Sequence, residues 1–435
     1  MTIDIVVADD LTGAADTVVQ FLPVVDHVLV FPTLRRFEQA VADRALPAGE
    51  LAIGVSTVSR HVGSVQAARH VRLAHLTALL LWPRLLFHKV DSALRGNPES
   101  ELAAYLAATG EPGVLMSPAF PPSRRSVRDG VLYVGGVPLA ESEVGRDPRT
   151  PATESSVPAL LGRHSFLPIS TIPLGSVRGS QEELTARVRA LAAGITVADA
   201  ETPDDLARIA RAVVDAGLLH AISGSAGLAR QLSVLLPRSA RRGIEETHLR
   251  ARRILVVIGS PHPRARAQIA HAVRERAGVL SPVYYGWAVD PAKWEFMRLL
   301  ETVLRREECA IVLPPFLDNM SRWNSDAILQ SLATMAQRLI ERTTPNGEPL
   351  VDALVVSGGD TAAALCSRFG TEHIELVDEV FPGAPLGVMR GGLTNGIPIV
   401  TKSGAHGPDD GLVRIIERLR GAAGSLPSVE PGAAV

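Results

Sequence analysis

From its first residues onward the chain alternates short, apolar, β-rich runs with longer helical patterns, and this alternation restricts its fold more than any other feature. The runs at 3–8, 51–55, 85–90, 113–116, 195–198 and 219–222 read as strands with helices between them. Such a series builds a mostly parallel sheet, because a parallel neighbour needs a crossover long enough to hold a helix. At 435 residues the chain is too long for one ordinary core, so two domains are expected. Residues 237–253 are polar and keep no hydrophobic period, and we read them as a linker whose arginines are solvated. A second α/β series opens at Ile254 and runs through 310–313, 353–356, 373–380 and 397–401. The fold expected is two α/β domains with mostly parallel sheets, residues 1–236 and 254–420, with a disordered Gly/Ala/Pro tail at 421–435. The stretch LYVGGVPL at 132–139 reads as a hairpin turning at Gly135-Gly136.

Composition excludes several function classes. The 44 Lys+Arg against 46 Asp+Glu give a formal net charge of −2, so nothing electrostatic points to nucleic acid or an anionic membrane. At 4% aromatic residues, a base-stacking platform is not indicated. Cys309 and Cys366 have no CxxC spacing and no histidine cluster, which makes them buried small hydrophobes rather than disulfide or zinc residues. The opening MTIDIVVADD lacks the basic start of a secretory signal, and the apolar window 74–87 is broken by Pro83 and Arg84 and too short for a bilayer. A cytoplasmic protein is expected. Oligomeric state is left open, a homo-oligomer included.

Ligands of parallel α/β sheets gather beyond the carboxyl ends of the strands, and the polar turns fall there. The first is Ala8-Asp9-Asp10-Leu11-Thr12-Gly13. Asp10 or Thr12 is suited to cap the following helix; one carboxylate suffices for that, and the other is placed to bind or deprotonate a substrate hydroxyl. A second turn carries Lys89, Asp91, Arg95 and Gly96 before the helix-starting Pro98. Arginine can grip a carboxylate bidentately. The two turns together fit a small molecule bearing a carboxylate and hydroxyls, with the proline-stiffened SPAFPP at 117–122 as a wall.

The second half has a different chemistry. In VDALVVSGGDTAAAL, residues 351–365, a strand gives way to Ser357-Gly358-Gly359 and an Ala-rich helix. Glycines let the backbone approach a ligand, and a helix start offers unpaired N–H groups to an anion. Thr361 adds a hydroxyl and Asp360 a carboxylate; the plainer alternative is a βα turn capped by Asp360. Lys402 follows a later strand into a Gly-rich loop, and Ser260 closes a third strand-to-helix turn. No Walker A, GxGxxG, HExxH or nucleophile-elbow sequence is present, so any nucleotide site is assembled from dispersed glycine turns.

Seven stretches carry a resemblance. ADDLTGAADT (8–17), KVDSALRGN (89–97), SPAFP (117–121), SGSAGLA (223–229), VSGGDTA (356–362), PGAPLG (382–387) and TKSGAHG (401–407) resemble, in order, the motifs of the four-carbon acid sugar kinase family, formerly a domain-of-unknown-function family. The resemblance spans nearly the whole chain. It implies ATP-dependent phosphorylation of the terminal hydroxyl of a threonate, erythronate or 3-oxotetronate in a cleft between an acid-binding and an ATP-binding domain. On this chain it implies Asp9, Asp10, Asp91, Arg95 and Gly96 at the substrate, Asp10 and less directly Asp9 acting on the acceptor hydroxyl. It further implies Ser260, Ser357, Gly358, Gly359, Asp360, Thr361, Gly383, Lys402, Ser403 and Gly404 along ATP, with Mg²⁺ on the phosphates and no dedicated protein metal site. Three positions depart from the family pattern: Ala93 stands for threonine, Ser123-Arg124-Arg125-Ser126 replaces a Gly-Arg-Thr stretch, and His406 stands for an aromatic. These bear on substrate identity more than on reaction class. Two rivals, a sugar-acid lyase or aldolase and a non-catalytic sugar-acid sensor, would use the first set of turns but not the second.

Overall fold

The computed structural model describes residues 2–146, 151–163, 167–236, 249–275, 280–284, 294–306, 309–313 and 325–421. Most of the expected linker (237–248) and nearly all of the expected tail (422–435) lie outside the described residues.

The strands of the first half are β1 (Ile3–Ala8), β2 (His27–Phe31), β3 (Leu51–Ser56), β4 (Leu85–Lys89), β5 (Gly113–Ser117), β6 (Arg125–Arg128), β7 (Val131–Val134), β8 (Val137–Pro138), β9 (Ile169–Ile172), β10 (Gly194–Ala198) and β11 (Ile222–Gly224). Those of the second are β12 (Ile254–Ile258), β13 (Leu280–Tyr284), β14 (Cys309–Leu313), β15 (Ala353–Ser357), β16 (His373–Glu379), β17 (Pro385–Arg390) and β18 (Pro398–Lys402). Fifteen of them form one sheet in the order β13-β14-β12-β15-β18-β17-β16-β2-β3-β1-β4-β11-β5-β10-β9, and β6-β7-β8 form a small separate sheet containing the expected hairpin. Pairing is parallel in both halves, and antiparallel only around β16 and β17 within the large sheet.

The halves are thus joined edge to edge. Ile374 of β16 pairs with Val30 of β2, and His27 Nδ1 lies 3.2 Å from Glu375 Oε1 across the junction. The strands are continuous apolar runs because both sheet faces are covered. In β12, Leu255 and Val257 enter the core that also holds β1 and β3, while Ile254, Val256 and Ile258 enter a second core confined to the later half. One hydrophobic cluster therefore spans both halves, where two separate cores were expected. Arg253, expected to be solvated, is buried: its guanidinium meets Glu348 at 3.0 Å and Asp352 at 3.6 Å. Both cysteines are buried. Among the described residues no helix is long and apolar enough to cross a membrane.

Candidate active site

Three antiparallel pairings, β2-β16, β16-β17 and β17-β18, separate the parallel strands of the two halves, which therefore run in opposite senses along the sheet; the turns leaving β1, β3 and β4 in one half and β15 and β18 in the other nevertheless meet, with Gly359 against Asp10. Asp10 lies in the turn after β1 and caps the first helix, Leu11–Val18, accepting from the Gly13 N–H (2.8 Å) and the Thr12 hydroxyl (2.6 Å). Arg60, in the loop after β3, grips both aspartates. Its Nε and Nη2 donate to Asp9 at 2.7 Å each, and its Nη1 and Nη2 donate to Asp10 at 2.9 and 2.8 Å. The loop is fixed by the Ser59 N–H on the Asp9 carbonyl (2.9 Å) and by Asn97 Nδ2 on the Ser59 and Val62 carbonyls. Burial works against the Arg60 charge, but Asp10, Asp9 and Asp91 together hold it well above its ordinary pKa. Burial outweighs Arg60 at Asp9, whose pKa is raised.

Arg95 spends Nε and Nη2 on Asp91, at 2.8 Å each, leaving Nη1 for anything else. Burial would raise Asp91, yet Arg95, Arg60 and Lys89 hold it well below the usual carboxylate range. Gly96 packs against Asp9 and Arg60. Two buried cations of the first half lie at this cluster without an ion pair to a described carboxylate: Lys89, whose amine lies against Gly13, and Arg125, whose Nη1 meets His406 Nε2 at 3.0 Å while its Nε has no partner.

In the second half the helix Gly359–Phe369 starts directly from β15 with Gly358 at its N-cap and no side-chain cap, so Asp360 is not the cap. Gly358 has φ +114°, which an L side chain rarely adopts, and a Cβ on Gly359 would collide with Asp10 Oδ2. Thr361 packs its hydroxyl on Gly259, and Asp360 reaches His61 Nε2 at 3.2 Å across the halves. Lys402, at the end of β18, is buried with Nζ 3.0 Å from the Ser403 carbonyl and 3.4 Å from Ser357 Oγ. Burial, with Arg264 adding, pushes its pKa down to about 7. Gly404 packs on Ser260, and the Gly383 N–H donates to Glu379 Oε1 (3.0 Å).

These turns enclose one cavity, lined by Asp16, Lys89 and Arg95 from the first half and Gly383, Ser403 and His406 from the second. Its free volume is about 20 Å³, the room of a single water. A roomier groove of about 660 Å³ lies between the helices Ser64–Leu79 and Pro98–Thr109, but its lining is mostly apolar and includes none of these turns. Of the expected residues, Asp9, Asp10, Asp91 and Arg95 come together as one charged cluster, and Gly359 meets it. Ser260, Ser357, Lys402 and Gly404 gather beside the same turn. Sequence reasoning missed Arg60, Asp16 and the position of Arg125.

Residues 5–232 match the model of a sugar-binding N-terminal domain and residues 255–412 that of a nucleotide-binding C-terminal domain. A D-threonate kinase from Bordetella bronchiseptica is 34% identical over 419 residues, covering 95% of this chain and 97% of that one. The chain belongs to the four-carbon acid sugar kinase family. Family members differ in the acid they are named for: a D-erythronate kinase from Heliobacterium modesticaldum is 28% identical, covering 95% of this chain and 96% of its own. A solved Haemophilus influenzae protein, 18% identical, shares the fold with a TM-score of 0.68 over 96% of this chain and 99% of its own. In this four-carbon acid sugar kinase the first matched segment carries the Asp9, Asp10, Arg60 and Arg95 cluster, and the second carries the glycine turns and Lys402.

Proposed function

We propose that this chain is an ATP-dependent kinase that phosphorylates the terminal (C4) hydroxyl of a four-carbon sugar acid of the threonate, erythronate or 3-oxotetronate type. The observation that carries this reading is the meeting of the halves at Gly359: the helix start suited to an anion lies directly against the carboxylate of Asp10. Residues 1–236 hold the acid and residues 254–420 the nucleotide, with transfer in the cleft.

The nucleotide fits two features. The helix at Gly359 has uncapped N–H groups, and Lys402 is a buried amine with no carboxylate partner among the described residues; a phosphate chain satisfies both. Ser260, Ser357, Asp360, Thr361, Gly383, Ser403 and Gly404 line it. Mg²⁺ enters as part of the Mg-ATP substrate, held chiefly by phosphate oxygens and water. Arg95 Nη1, Lys89 and Arg125 receive the substrate carboxylate; Asp9 and Asp10 accept from its hydroxyls. Arg60 keeps that pair oriented. The enclosed volume is too small for the acid, so the cycle includes parting and closing of the halves. A cytoplasmic reaction is the reading that its use of ATP supports.

The test is ADP release with Mg-ATP against a panel of threonates, erythronates and 3-oxotetronates. Turnover with one acid is expected. ATP binding without turnover on any of them refutes the substrate class, and absence of ATP binding refutes the kinase.

A further inference from the structure

If the chain is a kinase, something must take the proton of the acceptor hydroxyl, and the aspartates at the end of β1 are poorly placed for it. Each Asp10 oxygen already accepts two hydrogen bonds, Oδ1 from Gly13 and Arg60 and Oδ2 from Thr12 and Arg60. Both Asp9 oxygens are held by the Arg60 fork. Neither carboxylate therefore presents an incoming hydroxyl with an oxygen free of a protein donor.

Asp16 is different. It projects from the first helix into the same cavity, is 7% exposed, and makes no hydrogen bond through its side chain to a described residue; its buried Oδ1 has no partner at all. A buried, unpaired carboxylate costs stability and gives the helix no cap or ion pair in return. The charged groups around it are Asp10 on its own helix, Lys89 at the end of β4, Arg125 at the start of β6 and Glu379 at the end of β16. Burial first, then the Glu379 carboxylate, push its pKa up to about 7, where a base works best near neutral pH. Gly383 and Ser403 line this cavity from the nucleotide half, and the Lys402 amine meets the Ser403 carbonyl, so a hydroxyl beside Asp16 faces the phosphate-binding turns.

We propose that Asp16 is the general base of the transfer. Its free oxygen accepts the hydroxyl proton as the hydroxyl oxygen bonds to the γ-phosphorus and the bond from that phosphorus to the β,γ-bridging oxygen breaks. The electron pair of the broken bond leaves with ADP. This role rests on the kinase reading.

The test compares wild type with Asp16→Asn by steady-state kinetics across about pH 5 to 9, with binding of the acid and ATP followed by calorimetry. Asp16→Asn is expected to lower kcat by about 10² or more, to leave both binding constants within about three-fold, and to lose the acidic limb of the kcat profile. A merely structural residue would not remove that limb. A variant with kcat within about three-fold of wild type, or with the limb intact, overturns the role of Asp16 alone. The wild-type profile is a second measurement that needs no variant: a kcat flat across this range also overturns it. If wild type releases no ADP with any four-carbon acid, the kinase reading fails and the role of Asp16 falls with it.

Discussion

Lys402 links nucleotide binding to pH. Its amine is held by neutral oxygens only, and burial, with Arg264, lowers its pKa from 10.5 to about 7. That difference of about 3.5 units is worth about 5 kcal/mol, the ceiling on what a neighbouring polyphosphate can recover by restoring the charged form. Above neutral pH the free protein holds Lys402 largely uncharged, whereas the phosphate-bound form holds it protonated. Each nucleotide bound near pH 8.5 should therefore take up close to one proton, and near pH 6 almost none. Affinity should be flat below about pH 6 and weaken by up to tenfold per unit above pH 7. Calorimetry of ATP binding at about pH 8.5 in two buffers of different ionisation enthalpy reads the uptake directly, because ATP itself is then fully ionised. Stability moves with the opposite partner. The folded pKa lies below the unfolded one, so the unfolded chain binds more protons between about 7 and 10.5, and the buried cation costs most below neutrality. Lys402→Met should thus stabilise the free protein near pH 6 while abolishing both proton uptake and tight ATP binding. Zero uptake at pH 8.5, or unchanged ATP affinity in Lys402→Met, refutes the placement of the phosphates at Lys402.

Arg60→Met strands two buried carboxylates and should cost about 3–5 kcal/mol in urea unfolding at neutral pH. Arg60→Lys should recover less than half, since an ammonium cannot span Asp9 and Asp10 at once; full recovery would refute the importance of the fork. Gly359→Ala places a methyl on Asp10 Oδ2 and should lower kcat/KM about tenfold or more, the kinetic equivalent of about 1–3 kcal/mol of overpacking; an unchanged kcat/KM would show that the halves meet elsewhere during turnover. Glu101 accepts from Ser59 Oγ at 2.9 Å, and burial first, then the Asp9 charge, raise it from 4.5 to about 8. The folded state binds the extra proton in that window, so wild-type stability erodes as pH rises through it, and the advantage of Glu101→Gln should grow between pH 5 and pH 9 in denaturant titrations. An equal advantage at both pH values would refute the shift.

What the sequence made legible is what local physics decides. β1 is where its apolar run ends, and the turns that follow β1, β4, β15 and β18 carry the residues expected of them, because a strand buried on both faces must be continuously apolar and its exit must be polar. What stayed hidden depends on neighbours distant in sequence. The strand expected at 219–222 forms instead over Ile222–Gly224, where Ser223 and Gly224 have poor propensity but pair with β4 and β5 on both sides. Arg60 carries no local signal and finds its aspartates only when β3 is laid beside β1, and Arg253 looked solvated until Glu348 and Asp352 were brought to it from about a hundred residues away. Asp16 lay inside a quoted motif without a reason of its own. Its reason was nevertheless written in helical period: Asp10, Gly13 and Asp16, and Gln20 in the 3-10 turn that continues the helix, recur at three- and four-residue steps, and every residue of the helix Leu11–Val18 is buried. A polar stripe on a buried helix has no solvent to face, so it must face either a partner or a ligand. The structure divides the stripe accordingly. Asp10 meets Gly359 and Gln20 meets Glu379, tying the first helix to the second half at both ends, and Asp16 stands between them with its oxygen unbonded. The same helix that aligns the two halves thereby carries, at its centre, the one carboxylate of the stripe with bonding capacity left for a substrate.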